Sequence, residues 1–258
     1  MPEQRLVEHP LDIWQVNTLR MTAFPSPAAR VTGPTWWMDL MDEQPEKRIS
    51  QPRRGEQREE GPLAKGKLAL GVGLIRIDWV YTVADDPKFE VGGIPTIGTF
   101  PEALETFQSL MHRWFALETC PPIQRLAFGA ILWQPVENRQ TGYRQLATYM
   151  PAVTLEPEGS SDFMYQINLP RASSTGVAGL SINRLSKWTV MALGRAEFAI
   201  GAPAVAYMAQ PLSFACQVEL DINTVPEFQE EFTREQLPQI FAELVDLGCE
   251  IASRGDIP

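Results

Sequence analysis

The stretch LALGVGLIRIDWVYTV, residues 68–83, contains the clearest alternation of apolar and polar side chains in the chain. From Ile75 onward, apolar residues take every second position, and polar residues fill most of the positions between them. Side chains of a strand point alternately to the two faces of a sheet, so one face here is apolar and the other is mixed. The stretch therefore predicts a strand over Leu68–Val83.

Other segments predict further strands and three helices. The predicted strands are Ile13–Met21, Ile123–Trp133, Phe163–Leu169, Gly179–Asn183, Lys187–Ile200 and Leu212–Ile222. A short helix is predicted over Gly142–Tyr149. Thr99 with Glu102, and Thr233 with Gln236, have the spacing of a capping box, and each pair precedes an amphipathic stripe. The second stripe ends at Ile251 and predicts a long C-terminal helix.

Strands and helices do not alternate regularly along the chain. This order favours an α+β fold over a doubly wound parallel sheet. We expect a mostly antiparallel sheet packed by a central helix and by the long C-terminal amphipathic helix. No linker rich in Pro, Gly and Ser separates two apolar halves, so residues 1–258 are predicted to form a single domain.

The segment Asp42–Lys67 differs from the rest in composition. It has seven basic and six acidic residues, and only Ile49 and Leu63 are large and apolar. Such a segment buries too little apolar surface to offset its ordering entropy, which predicts a mobile insertion over residues 42–67. Two interpretations stay open: a solvated loop without a role, and an arm that a partner orders.

Composition excludes several classes of protein. With 44% hydrophobic residues the chain is not a disordered polyelectrolyte, and its net charge of −10 argues against general nucleic-acid coating. Three scattered cysteines, Cys120, Cys216 and Cys249, predict free thiols in a reducing cytoplasm. No signal peptide or apolar run of membrane-spanning length is apparent. Val72 and Gly73 stand where a phosphate-binding loop needs Lys and Ser or Thr, so that motif fails.

The sequence also lacks clear combinations of catalytic side chains. With only two histidines, a serine triad would need His9, in a polar N-terminal segment, or His112, which is predicted on a helix surface. Glu219 and Asp221 lie two apart on a predicted strand and point to one face, where Asp162 or Glu197 could complete a Mg²⁺ site. The simpler interpretation is an exposed polar face. We predict no cofactor, no metal site and no enzymatic activity.

The region Phe163–Ala196 contains basic residues and no acidic one. Its two strings QINLPR (166–171) and SINRL (181–185) each place Asn after Ile, with Arg soon after. If they form neighbouring strands, Asn168 and Asn183 face each other. Arg and Asn side chains suit a carboxylate, a phosphate or a base edge. The candidate binding residues here are Asn168, Arg171, Asn183, Arg184, Lys187, Trp188 and Arg195. The alternative is a turn-and-sheet region whose Asn side chains satisfy backbone groups.

Two other features suggest contact with another protein. Trp36 and Trp37 precede the charged segment, and aromatic residues are enriched at interface centres. Anchoring of the base of that segment in the core is the competing explanation. The stretch Glu219–Pro258 has ten acidic and two basic residues, a net charge of −8, which leaves −2 for the rest of the chain. An acidic face suits a basic partner, and it also serves solubility.

The pattern Val218–Ile222, with the amphipathic helix that ends at Ile251, resembles a sporadically distributed bacterial protein family of unknown activity. Leu74–Val83 fits that family loosely. The resemblance implies no catalytic residues. Sporadic distribution implies a link to mobile phage-defence operons, for example CRISPR-associated ones, or to toxin-neutralising operons.

Together these features predict a cytoplasmic, non-catalytic accessory or regulatory subunit that binds another protein encoded in the same operon. Homo-oligomers remain open, and neither a membrane nor a nucleic acid is indicated. One alternative is a metal-dependent phosphoesterase or nuclease-like enzyme. Another is a sensor of a small anion or a nucleotide.

Overall fold

An open ten-stranded sheet, with every pairing antiparallel, dominates the computed structural model. The structure describes residues 8–29, 31, 35–85, 93–193 and 213–256. The strands are β1 (Gln15–Pro25), β2 (Lys47–Gln51), β3 (Glu56–Leu63), β4 (Gly66–Val72), β5 (Ile77–Thr82), β6 (Ile123–Val136), β7 (Met164–Asn168), β8 (Arg171–Ala172), β9 (Ser181–Leu193) and β10 (Ser213–Thr224). The helices are α1 (Trp36–Met41), α2 (Phe100–Ala116), α3 (Arg139–Ala147) and α4 (Gln236–Arg254).

The strand order is β2-β3-β4-β5-β1-β6-β10-β9-β7, and β8 also pairs with β9. The edge strands β2 and β7 do not meet, so the sheet is not closed. The predicted α+β class with a mostly antiparallel sheet is confirmed. No helix among the described residues has both the length and the apolar character needed to cross a bilayer.

The stretch 68–83 forms two strands, so the prediction of one strand was wrong. The backbone N–H of Gly73 donates to the carbonyl of Arg76 at 2.9 Å and closes a hairpin between β4 and β5. Leu74 and Ile75 lie at its tip. The alternation of side chains continues on both sides of this turn, and it therefore concealed the reversal of the chain.

The segment 42–67 contains β2, β3 and the start of β4, which corrects the prediction of a mobile insertion. Its charges pair both across the strands and along β3. Arg48 Nε lies 2.8 Å from Glu59 Oε1, and Glu60 accepts from Arg58 and lies 3.8 Å from Lys67 Nζ. Backbone pairing and these ion pairs supply the order that apolar residues alone would not.

One face of the sheet, here called the inner face, carries most of the core. Neighbouring positions Trp79, Met21, Phe128 and Ile222 are each fully buried on β5, β1, β6 and β10. The ring of Trp114 on α2 lies 6.3 Å from that of Trp79. The aromatic core therefore extends from the sheet to α2.

Helix α4 also contacts this face. The Phe241 ring lies 6.2 Å from Phe128 and 5.7 Å from Phe115 of α2. The predicted capping box precedes the helix: Thr233 N–H donates to Gln236 Oε1 at 2.9 Å, and Gln236 N–H donates to Thr233 Oγ1 at 3.3 Å. These two bonds satisfy N–H groups that the first turn of a helix leaves free.

Candidate functional site

A ladder of amide side chains crosses three strands on the face opposite the core. Asn168 Nδ2 donates to Asn183 Oδ1 at 3.0 Å, and Asn183 Nδ2 donates to Asn223 Oδ1 at 3.1 Å. Asn223 in turn donates to Asp221 at 3.1 Å. The two Asn residues of the repeated strings therefore face each other, as predicted. Asn168 Oδ1 also accepts from the backbone N–H of Arg184 at 2.9 Å, so part of the ladder serves the backbone.

Arg184 lies on the inner face, away from the amide ladder. Its side chain is only 2% exposed, and its Nη2 lies 3.5 Å from Glu250 Oε2 of α4. Arg171 Nη1 binds the same carboxylate oxygen at 3.1 Å. Burial lowers the pKa of the Arg184 guanidinium, and the nearby positive charge of Arg171 lowers it further. The two arginines lie close together and share one carboxylate.

Beside this ion cluster is a cleft of about 1060 Å³ between α4, the turn after β8 and residues 8–11. Arg171 and Glu250 border it, and so does Glu243. Glu243 accepts from the hydroxyls of Ser173 and Ser174 at 2.6 and 2.7 Å. Glu243 therefore holds the turn after β8 against α4.

Lys187 and Trp188 point to opposite faces of β9. Lys187 Nζ lies 3.4 Å from Glu219 Oε2 on the face of the amide ladder. Trp188 is fully buried, stacks on Tyr149 at 5.2 Å and donates to Ser186 Oγ at 3.0 Å. Trp188 was a candidate binding residue, but the alternation of side chains along β9 places it in the core.

Asp256 lies at the end of the same buried region and accepts from Ser186 Oγ at 2.6 Å. Burial raises the pKa of its carboxyl above the ordinary value, although the hydrogen bond from Ser186 acts the other way. A raised folded-state pKa means that the folded protein binds more protons than the unfolded chain in the range between the two pKa values. The contribution of Asp256 to the free energy of unfolding therefore falls as the pH rises through that range.

We expect Asp256→Asn to become stabilising relative to the wild type as the pH rises from about 3 to about 7, because the amide keeps an acceptor for Ser186 and never ionises. Urea unfolding of both proteins across this range measures the difference. A difference that does not change with pH would contradict the assignment. Asp221→Asn, at a carboxylate on the opposite face, serves as the control.

Trp36 and Trp37 belong to the core, which corrects their assignment to a partner interface. Each is 2% exposed. The Trp36 ring packs against Trp114 at 5.4 Å, and Trp37 packs over Gly61 of β3. Their position at the base of the charged segment thus reflects core packing, the alternative that the sequence left open.

Of the remaining candidates, Arg195 and Glu197 lie outside the described residues. Glu219 and Asp221 do share one face of β10, as their spacing predicts. Within the described ranges, no group of three His, Cys, Asp or Glu residues is placed to hold a metal ion.

The cysteines and His112 have the expected surroundings, whereas His9 is half-buried. Cys120, Cys216 and Cys249 are free thiols, and burial raises the pKa of each to about 12. The thiols therefore stay protonated at neutral pH. His112 is exposed on α2. His9 stacks on Tyr149 at 4.2 Å, and burial lowers the pKa of its ring.

The most exposed large apolar residues that the structure describes were not predicted from the sequence to be exposed. Leu74 is 80% exposed and Ile75 is 75% exposed, both at the β4–β5 hairpin tip. The Leu74 side chain reaches Gly55 in the neighbouring β2–β3 turn, which also exposes Arg53 and Arg54. We call residues 53–55 and 74–76 the arm tip. The glycines at 71 and 73 were the available signal for a turn here.

The fold and these surfaces define an α+β protein with an open antiparallel sheet, an ion cluster around the buried Arg184, and an apolar, basic arm tip. Searches against protein-family models, curated proteins and solved structures found no match.

Proposed function

We propose that the chain is a cytoplasmic, non-catalytic accessory or regulatory subunit that binds another protein through the arm tip. The observation that carries the proposal is the exposure of Leu74 and Ile75 side by side. Large apolar side chains in this setting gain free energy when a partner removes them from water, by roughly 1.5–3 kcal/mol each when fully buried. Packing by the central helix α2 and by α4 would make the sheet rigid, and the arm tip extends from this sheet.

Charge around the arm tip favours a particular kind of partner surface. Arg53, Arg54 and Arg76 are exposed beside the apolar pair. An apolar pocket bordered by carboxylates on another protein complements this arrangement, and opposite charges also speed association. The resemblance to a sporadically distributed bacterial family supports a partner from a phage-defence or toxin-neutralising operon.

The test is co-expression of the tagged chain with the products of adjacent genes, followed by gel filtration and calorimetry. We expect one product to form a stable complex, and Leu74→Ser with Ile75→Ser to weaken it by roughly a hundredfold. Met164→Ser is the matched control, because Met164 is 63% exposed on the edge strand β7.

Binding through the tip should also weaken as salt is added, since exposed charges are screened. Arg53→Gln with Arg54→Gln should reduce this salt dependence. If no adjacent gene product binds, or if the serine double variant binds as tightly as the wild type, the proposal fails.

A further inference from the structure

Strand β2 forms one edge of the sheet, and every residue of Lys47–Gln51 is exposed. It pairs with β3 along one side, and within the described ranges no strand lies along its other side. A free sheet edge presents a row of backbone N–H and C=O groups that can pair with another strand. Ile49, at the centre of β2, is 38% exposed, so this edge also presents an apolar side chain.

The sequence of β2, KRISQ, is compatible with antiparallel pairing between two copies of the strand. With a two-fold axis at the centre of the strand, Ile49 lies opposite its equivalent in the other copy. The remaining opposite pairs are Arg48 with Ser50 and Lys47 with Gln51. Like charges directly opposite each other would be unfavourable, and this register contains none.

The two ends of β2 carry opposite charges. Three acidic residues are exposed before the strand and two basic residues are exposed after it: Asp42, Glu43 and Glu46, then Arg53 and Arg54. None of these five side chains forms an ion pair with another residue in the described part of the chain. Antiparallel pairing about a two-fold axis brings the acidic end of each copy beside the basic end of the other, so the same attraction acts twice.

The opposite edge of the sheet lacks this complementarity. Strand β7 contains no charged residue, although Met164 at its start is 63% exposed. Arg171, the first cation after β7, already binds Glu250 of its own chain. Two copies of β7 would therefore gain backbone hydrogen bonds without the attraction of opposite charges.

We propose that two copies of this chain associate through β2 as an antiparallel two-fold dimer with a continuous sheet. The pairing buries Ile49 against its equivalent and places Arg53 and Arg54 beside the acidic segment of the other copy. A short strand buries little area, so we expect a dissociation constant in the micromolar range. Leu74 and Ile75 lie in the β4–β5 turn and not on this edge, so the inference does not depend on the protein partner proposed above.

Sedimentation equilibrium of the chain alone, at micromolar concentrations, measures this association. We expect a monomer–dimer equilibrium for the wild type. Ile49→Lys should raise the dissociation constant at least about tenfold, because it removes the apolar pair and places like charges opposite each other. Met164→Lys introduces the same charge on the other edge strand, and as the matched control it should have no effect.

Charge reversal tests the arrangement of the two copies. One variant carries Arg53→Glu with Arg54→Glu, and the other carries Glu43→Arg with Glu46→Arg. Each variant alone should be mainly monomeric, because like charges then meet at both ends of β2. An equimolar mixture of the two should dimerise, since acidic and basic ends again meet at both positions. Added salt should weaken the wild-type dimer, because exposed charges are screened.

Circular dichroism shows whether each variant is folded, and Ile49→Lys provides an independent test if a charge-reversed chain does not fold. The proposal is overturned if the wild type is monomeric at every micromolar concentration, or if Ile49→Lys dimerises as tightly as the wild type. It is also overturned if Met164→Lys weakens the dimer as much as Ile49→Lys does, or if the mixture of folded charge-reversed variants stays monomeric.

Discussion

Replacing Trp114 with alanine is expected to lower the free energy of unfolding by about 3–5 kcal/mol, the usual cost of removing a large buried aromatic side chain. Trp114 is fully buried, and its ring contacts Trp36 at 5.4 Å, Trp79 at 6.3 Å and Phe115 at 5.4 Å. It joins α1, α2 and the sheet. Its loss leaves a cavity that three different elements would have to fill.

Urea unfolding followed by far-UV circular dichroism measures this effect. Trp114→Phe should cost much less, because it keeps an aromatic ring and removes a buried Nε1 that has no partner in the protein. Glu105→Ala, on the exposed side of the same helix, should change the free energy by no more than about 0.5 kcal/mol. A loss below about 1 kcal/mol for Trp114→Ala would show that Trp114 does not join these elements.

Glu250→Ala should destabilise the protein by about 2–3 kcal/mol, because it removes a carboxylate from the buried cation of Arg184. Breaking a buried ion pair typically costs 3–5 kcal/mol. The expected loss is below this typical range for two reasons. The side chain of Glu250 is 25% exposed, so solvent partly screens the pair. Asp256 also raises the pKa of Arg184, so a second carboxylate stabilises its charge.

Arg171→Ala is the internal comparison for this prediction. Arg171 binds the same carboxylate, but its side chain is 41% exposed, so solvent screens the pair and the expected loss is at most about 1 kcal/mol. Equal losses for Glu250→Ala and Arg171→Ala would mean that burial of Arg184 does not govern the energy of this cluster. Chemical denaturation of both variants at one pH makes the comparison.

Several elements follow directly from local sequence patterns. Helix α4 is predictable because its apolar stripe and capping box are both local features, and β6 because it is a continuous apolar run. The hairpin β4–β5 was missed because a period of two holds on both sides of the turn. Its signal was the change of phase, since the large buried apolar residues are at even-numbered positions up to Val72 and at odd-numbered positions from Ile77. Strands β2 and β3 were missed because their stability depends on pairing with β4 and on cross-strand charges, which composition does not record.

Some contacts of the candidate residues were likewise predictable from the sequence, and others were not. The contact of Asn168 with Asn183 was predictable, because two similar strings imply neighbouring strands. The burial of Trp188 and Arg184 was not, since it depends on which face of β9 meets α4.

The position of β1 in the middle of the sheet affects how the chain folds during its synthesis. β1 is the first strand of the sheet in chain order, yet its partners β5 and β6 come after it by roughly fifty and a hundred residues. Until they leave the ribosome, both edges of β1 carry unpaired backbone groups, which invite pairing with other chains. Slow translation or crowded expression should therefore favour aggregation, and a chaperone that shields β1 should raise the yield of folded protein.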